Sequence, residues 1–425
     1  MQFDVKQAVA GALTIGMFIM LVNMIGNGPF NSSTPEETAL MAASDVEGAE
    51  MLLKERIRQD DTPKELWGKD GPVLKPCWDE HITGREGRTW GYVSVKLSDG
   101  PLYHPHQVAD AVMVARYLGA TLLLPTIKEA SKEPNSEFDK IYDVNNFISS
   151  LKDVVRVVGR LPEDIRGVEP AIVKVPHKVS LDYIEENLKP IFKQKMLIQI
   201  MTVLSTSALK AKDTADDEIQ AIRCLVIYNA LRLHSQVQKL GERVISRVKE
   251  SAEGSGGHFI AVDLRVDLLE QKSCVQTEGA KSKKCFNAHD VAHFLKKLGF
   301  SSETAIYVTQ SRWVSDLDPL KDVFPNIHTK EYSMPFNEEK QIVYSGKTQF
   351  EMAVDLYICM HSDVFIPAIS GLAYINVAGR RIALGKTQIL VPRVVTDAAK
   401  LKVSAVLSKF VTRRDHNVYS CFCKS

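Results

Sequence analysis

Twice along this chain, short apolar runs alternate with segments of helical period, and the two series flank Glu253-Gly254-Ser255-Gly256-Gly257. This alternation leaves few folds open, because parallel strands need a crossover between them and a helix is the usual one. In the first series, residues 93–97 predict a strand. Residues 107–118 predict a helix with Val108, Ala111, Val112, Ala115 and Leu118 on one face. Residues 121–124, stopped by Pro125, and 154–158 predict two more strands. Ile219, Ile222, Val226, Ala230, Leu233, Val237, Leu240, Val244 and Val248 then step by three and four, which predicts one helix of about eight turns. In the second series, residues 259–262, 305–308, 355–359 and 382–384 predict buried strands, with a helix over 288–298. The expected fold class is α/β, with two Rossmann-like lobes over residues 76–245 and 246–425 hinged near 240–257.

A chain of 425 residues is long enough for two such cores. Its 53 Lys and Arg against 52 Asp and Glu leave a formal charge of +1. That balance argues against an electrostatic nucleic-acid binder, so no nucleic-acid partner is expected. A local basic pocket for a small anion remains open.

No charged residue lies between Lys6 and Glu36, and the apolar stretch 8–25 is interrupted only by Thr14 and Asn23. As a helix it is roughly 27 Å long, enough for a thin bilayer. The expectation is a cytosolic tail over 1–7, a signal-anchor transmembrane helix over 8–28, a stem over 29–75 and a lumenal remainder, in type II orientation. Asn31-Ser32-Ser33 is a glycosylation sequon by pattern.

Seven cysteines are present. Cys274 and Cys285 flank a Lys-rich segment of the kind a disulfide would pin. Cys224 and Cys359, within apolar runs, read as buried thiols. Cys77, Cys421 and Cys423 leave one possible bridge and one spare. Cys421-Phe422-Cys423 is not C-x-x-C and has no His at zinc spacing, so no metal is expected there.

Several tempting motifs fail. Gly254-Ser255-Gly256-Gly257 precedes a strand, whereas a dinucleotide loop follows one. Gly385-Lys386-Thr387 lacks P-loop spacing to Gly379, and Asp316-Leu317-Asp318, followed by Pro319, reads as a turn rather than a metal-binding D-x-D. More informative is Phe259-Ile260-Ala261-Val262-Asp263-Leu264-Arg265. An apolar strand there delivers Asp263 and Arg265 at positions i and i+2, hence on one face, at the ligand-binding end of a parallel sheet. Arg265 can fork onto a diphosphate, and Asp263 can orient an acceptor hydroxyl or take its proton. Ser362, Asp363 and Phe365 follow the 355–359 run in the same way and read as ribose, phosphate and base contacts.

An ordered series of segments resembles one family. It comprises Asp110-Ala111-Val112-Met113-Val114-Ala115-Arg116, Ile222-Arg223-Cys224 with Tyr228-Asn229-Ala230-Leu231-Arg232, Asp263-Leu264-Arg265, Ile306-Tyr307-Val308-Thr309-Gln310 and Ser362-Asp363-Val364-Phe365-Ile366-Pro367. These span about 100–425 and resemble the plant O-fucosyltransferase-like glycosyltransferases, within them the mannan-synthesis-related group. The resemblance implies a GT-B arrangement, with a nucleotide sugar in the cleft between lobes and inverting transfer without metal. It also implies a GDP-sugar donor such as GDP-mannose or GDP-fucose, a mannan-type oligosaccharide acceptor and a Golgi location. By that pattern Arg265 matches the arginine of H-x-R, which meets the donor diphosphate, and Asp263 stands where the histidine would. Ser362, Asp363 and Phe365 match the later nucleotide-binding segment. The family's G-L-N-Q-x-R loop reads Gly100-Pro101-Leu102-Tyr103-His104-Pro105-His106, keeping Gly100 and placing His104 and His106 in the acceptor or donor loop. This altered loop also fits a helper of the same fold that binds mannan or supports a polysaccharide synthase. A fucosyl- or rhamnosyltransferase shares the architecture.

Overall fold

In the computed structural model, the described residues are 64–84, 89–98, 100–127, 138–203, 216–266, 285–333, 349–393 and 401–423. They belong to one compact unit, Gln59–Ser425. Met1–Arg58 forms the other unit; the expected tail, anchor, sequon and most of the expected stem lie outside the described residues. Among the described residues no helix is long and apolar enough to cross a membrane.

Two parallel sheets build the unit. The strands, in chain order, are β1 (Lys75–Pro76), β2 (Tyr92–Leu97), β3 (Thr121–Leu123), β4 (Thr126–Ile127), β5 (Val157–Val158), β6 (Ala171–Pro176), β7 (Leu197–Val203), β8 (Phe259–Asp263), β9 (Ala305–Val308), β10 (Ile327–His328), β11 (Val364–Pro367) and β12 (Phe422–Cys423). The first sheet runs β5-β3-β2-β7-β6, with β4 added to β2, and the second runs β10-β9-β8-β11. All their pairings are parallel. The helices that matter below are α1 (His104–Leu118), α2 (Asp217–Leu225), α3 (Ser235–Glu250), α4 (Ala288–Leu298), α5 (Gln349–His361) and α6 (Leu372–Ala383).

Strand β8 shows why the second sheet forms. Phe259 and Ala261 face one hydrophobic cluster while Ile260 and Val262 face another, so both sides are dry and the strand is apolar throughout. The helix α4 matches its expected bounds because its ends are written in the sequence. Asn287 and Asp290 close a capping box, and Gly299 takes the left-handed conformation after the last turn.

Three expectations are corrected. The single helix over 219–248 is broken: α2 ends in a π-turn, and Leu231–His234 leaves the helix so that Leu233 bridges Tyr142. His234 then accepts from the Gln236 amide to cap α3. Residues 355–359 are not a strand but the middle of α5, and 382–384 close α6. An apolar run buried on all sides carries no period to tell helix from strand. Finally, Cys224 is not a thiol; it is bonded to Cys421, which ties α2 to the end of the chain. Cys285 is also disulfide-bonded, and Cys274 lies outside the described residues. Cys359 is buried and free, as expected.

The two sheets fall on either side of the 253–257 turn, but the last residues return to the first sheet's side. There β12 pairs antiparallel with β1. The segment from Lys64, expected as stem, also belongs to the packed unit: Leu66 and Trp67 are buried in the second sheet's core, and Gln388 holds the Leu66 carbonyl.

Candidate active site

Strands β8 and β9 end side by side, and their carboxyl ends bring Asp263, Arg265 and Thr309 together. The Thr309 amide donates to the Val262 carbonyl at 3.1 Å, and the Thr309 hydroxyl donates to Asp263 Oδ1 at 3.2 Å. Arg265 meets Asp263 loosely: its Nη2 donates to Oδ2 at 3.5 Å, while Nε lies 3.2 Å from Oδ1 without a hydrogen bond, so that buried N–H has no acceptor. Burial works against this guanidinium, but the charges of Asp263, Asp355 and Tyr103 outweigh it and hold its pKa above the ordinary arginine value. Arg265 is thus a fixed cation with hydrogen-bonding capacity to spare.

Behind it lies a buried polar cluster. Lys330 Nζ donates to Asp355 Oδ2 at 2.5 Å, and the Tyr307 hydroxyl donates to Asp355 Oδ1 at 2.6 Å. Burial raises Asp355 against the pull of Lys330, Tyr307 and Arg265. Asp263, Arg265, Thr309 and Asp355 line a cavity of about 20 Å³ whose far wall includes Leu102, from the loop after β2. That is room for roughly one water.

Gly100 explains how this loop comes so close. Its φ is +94°, and a Cβ there would stand 2.8 Å from Met352 Sδ on α5. Asn376 of α6 donates to the Leu102 carbonyl. His104 and His106 point away into the first sheet's lobe. His104 Nδ1 is 3.0 Å from the Tyr142 hydroxyl, and burial lowers its pKa to about 3. His106 packs edge-on against His177 at 4.7 Å; burial first, then His177, lowers it to about 3 as well. His177 in turn sits 3.2 Å from Asp110 Oδ2, and Arg223 Nη1 is 2.9 Å from Asp110 Oδ1. Burial alone would raise Asp110, but Arg223 and His177 hold it below the usual carboxylate range.

Of the residues singled out from sequence, Asp263 and Arg265 meet at the cavity with Gly100 close by. Ser362, Asp363 and Phe365 do not join them. Because 355–359 is helix, these residues precede or open a strand instead of following one, which puts Asp363 at the opposite end of the sheet. Asp363 Oδ2 accepts from the Phe259 amide at 3.0 Å, at the start of β8, and His258 Nδ1 lies 3.4 Å from Oδ1. Ser362 accepts from the fully buried Arg381 at 2.8 Å, and Phe365 is fully buried in the core. Arg381 also donates to the carbonyls of Cys359, Ser362, Asp363 and Gln388, so it is solvated by backbone; burial lowers its pKa to about 10.

Sequence reading missed the roles of Thr309, Lys330 and Asp355. Their one signal was Asp355, a lone charge in the apolar run 353–360, since such a charge requires a buried partner. Among the described residues no three His, Cys, Asp or Glu side chains stand close enough together to hold a metal.

Residues 106–384 match the family described as GDP-fucose protein O-fucosyltransferase. Protein MANNAN SYNTHESIS-RELATED 1 of Arabidopsis thaliana is 42% identical over 100% of both chains. Protein MANNAN SYNTHESIS-RELATED of Trigonella foenum-graecum is 37% identical over 99% of each. A crystal structure of POFUT1 in complex with GDP-fucose covers 68% of this chain and 94% of its own, at 12% identity and a TM-score of 0.41, a likeness too loose to bear on chemistry. The chain belongs to the GDP-fucose protein O-fucosyltransferase family of glycosyltransferases.

Proposed function

We propose that this protein is a Golgi glycosyltransferase of cell-wall mannan synthesis. In this reading it is anchored by its first thirty residues, with two GT-B lobes in the lumen. It moves a sugar from a GDP-linked donor, GDP-mannose or GDP-fucose, to a manno-oligosaccharide, with inversion and without a metal. The observation that carries the reading is Arg265: a partly buried cation with an unused Nε–H, at the carboxyl end of a parallel sheet, facing a cavity closed by the other lobe's loop. In the reaction Arg265 takes up charge on the leaving diphosphate, and Asp263 orients the acceptor hydroxyl or accepts its proton. Nucleotide-sized ligands need several hundred Å³ (roughly 300–1,000), so the walls around Leu102 part when the donor enters.

The names of the relatives support the mannan setting, and the family description supports a GDP-sugar donor. The direct test is incubation of the protein with GDP-mannose, GDP-fucose or GDP-glucose and manno-oligosaccharides, beside Arg265→Ala. Transfer that disappears in the variant supports the reading.

A second reading has its own observation. Asp263 and Asp355 balance Arg265 and Lys330, so a diphosphate must compete with carboxylates already in place. That balance favours a helper of the same fold that holds mannan or supports a polysaccharide synthase. Tight manno-oligosaccharide binding with no transfer from any donor would establish it.

A further inference from the structure

Strands β1 and β12 meet in a small ribbon that gathers cysteines. Lys75 lies opposite Cys423 and Pro76 opposite Phe422, and the Cys77 amide continues the ladder by donating to the Cys421 carbonyl at 3.3 Å. The Cys77 thiol also donates to that carbonyl, at 3.8 Å. Trp78 and Phe422, ring centroids 5.5 Å apart, pack the ribbon from the side. Cys421 is already bonded to Cys224, which leaves Cys77, half-buried, and Cys423, exposed, as free thiols on neighbouring strands. With Cys77 opposite Cys421, the register puts Cys77 and Cys423 diagonally on the same face of the ribbon.

We propose that Cys77 and Cys423 form a further disulfide in the mature protein, which clips β1 to β12. The proposal rests on the lumenal placement argued above, because such pairs stay reduced in the cytosol. The oxidant is a disulfide compound of the secretory pathway, such as oxidised glutathione or a protein disulfide. The thiolate of the exposed Cys423 attacks one sulfur of the oxidant and expels a thiolate. The Cys77 thiolate then attacks Cys423 Sγ and expels the second. The protein loses two protons and two electrons, and the oxidant's disulfide is reduced to two thiols. Burial, then the hydrogen bond and charge of Cys423, push the Cys77 thiol up to about 11. Cys77 is therefore the slow partner, and closure speeds up as pH rises. With this bond made, the accessible thiols near the ribbon are used and Cys359 stays in the core.

The test is peptide mapping of the full chain made in the plant secretory pathway, with thiols blocked by N-ethylmaleimide before lysis and no reductant added. The expected result is a Cys77 peptide joined to a Cys423 peptide, neither carrying maleimide, beside the joined Cys224 and Cys421 peptides. In Cys423→Ser, Cys77 becomes open to maleimide while Cys224–Cys421 stays closed. Maleimide on both Cys77 and Cys423 with Cys224–Cys421 intact overturns the bridge and leaves the lumenal reading standing. Cys77 joined to Cys421 or Cys224 overturns it too. If Cys224 and Cys421 are themselves reduced, the lumenal reading falls and the bridge with it.

Discussion

The two ends of the four-stranded sheet carry nearly the same ingredients and do different work. At the carboxyl end, Asp263 stands beside Arg265, and the arginine faces a cavity with a donor unused. At the amino end, Asp363 stands beside His258, and Arg381 lies behind it with its Nη groups given to backbone carbonyls and Ser362. An acid and a cation at a strand boundary are therefore not a site by themselves. What separates the two ends is how far the cation's hydrogen bonds are spent: each Nε–H lacks a partner, but the Arg381 Nη groups meet several backbone carbonyls while Arg265 has one long bond to Asp263. Damage at the amino end should cost stability, and damage at the carboxyl end should cost ligand binding.

The amino end offers the largest stability effects. Phe365→Ala empties a fully buried aromatic position and should cost about 3–5 kcal/mol, read from denaturant melts. Arg381→Met strands several buried acceptors and should cost more than about 3 kcal/mol. In both, the protein that remains folded should bind GDP as the parent does; a large loss of affinity would place the amino end in the site after all. Asp355→Asn blurs the comparison usefully. It leaves Lys330 buried without its carboxylate, at about 3–5 kcal/mol, and it also frees Arg265 from one competing charge. A GDP affinity that rises in this otherwise weakened variant would confirm that the carboxylates compete with the diphosphate. Gly100→Ala imposes a strained φ and a contact with Met352, so it should cost about 1–3 kcal/mol.

The last effect is absent at neutral pH and grows only in acid. Burial holds His104 near 3, below its unfolded value of about 6.5. Between these two values the unfolded chain binds the extra proton, so stability falls as pH drops from about 6.5 toward 3. Melts of His104→Asn across that window should show a shallower slope than the parent, and an unchanged slope would contradict the burial argument.

Much of the fold could be read from sequence because the decisive signals were local. Asn287, Asp290 and Gly299 mark α4 by capping, and 259–262 marks β8 by its unbroken apolar run. The same kind of run at 355–359 misled, because a helix packed between α3 and the sheet is as apolar as a central strand. That single error placed Asp363 at the wrong end of the sheet. Half of the cavity was legible, since Asp263 and Arg265 follow a recognisable strand. Thr309, Lys330 and Asp355 come from three further segments whose meeting is decided only by the order β10-β9-β8-β11. The break at 231–234 likewise depends on Tyr142, far away in the chain.

The most direct measurement is calorimetric titration of GDP into the parent, Arg265→Ala and Asp363→Asn. Truncating one partner of a hydrogen-bonded charge pair shut off from water costs about 2 kcal/mol or more, roughly 30-fold in affinity. That loss is expected for Arg265→Ala, with an affinity within about twofold of the parent for Asp363→Asn, since noise of that size is well under 1 kcal/mol. The reverse order, or equal losses in both, would contradict that expectation.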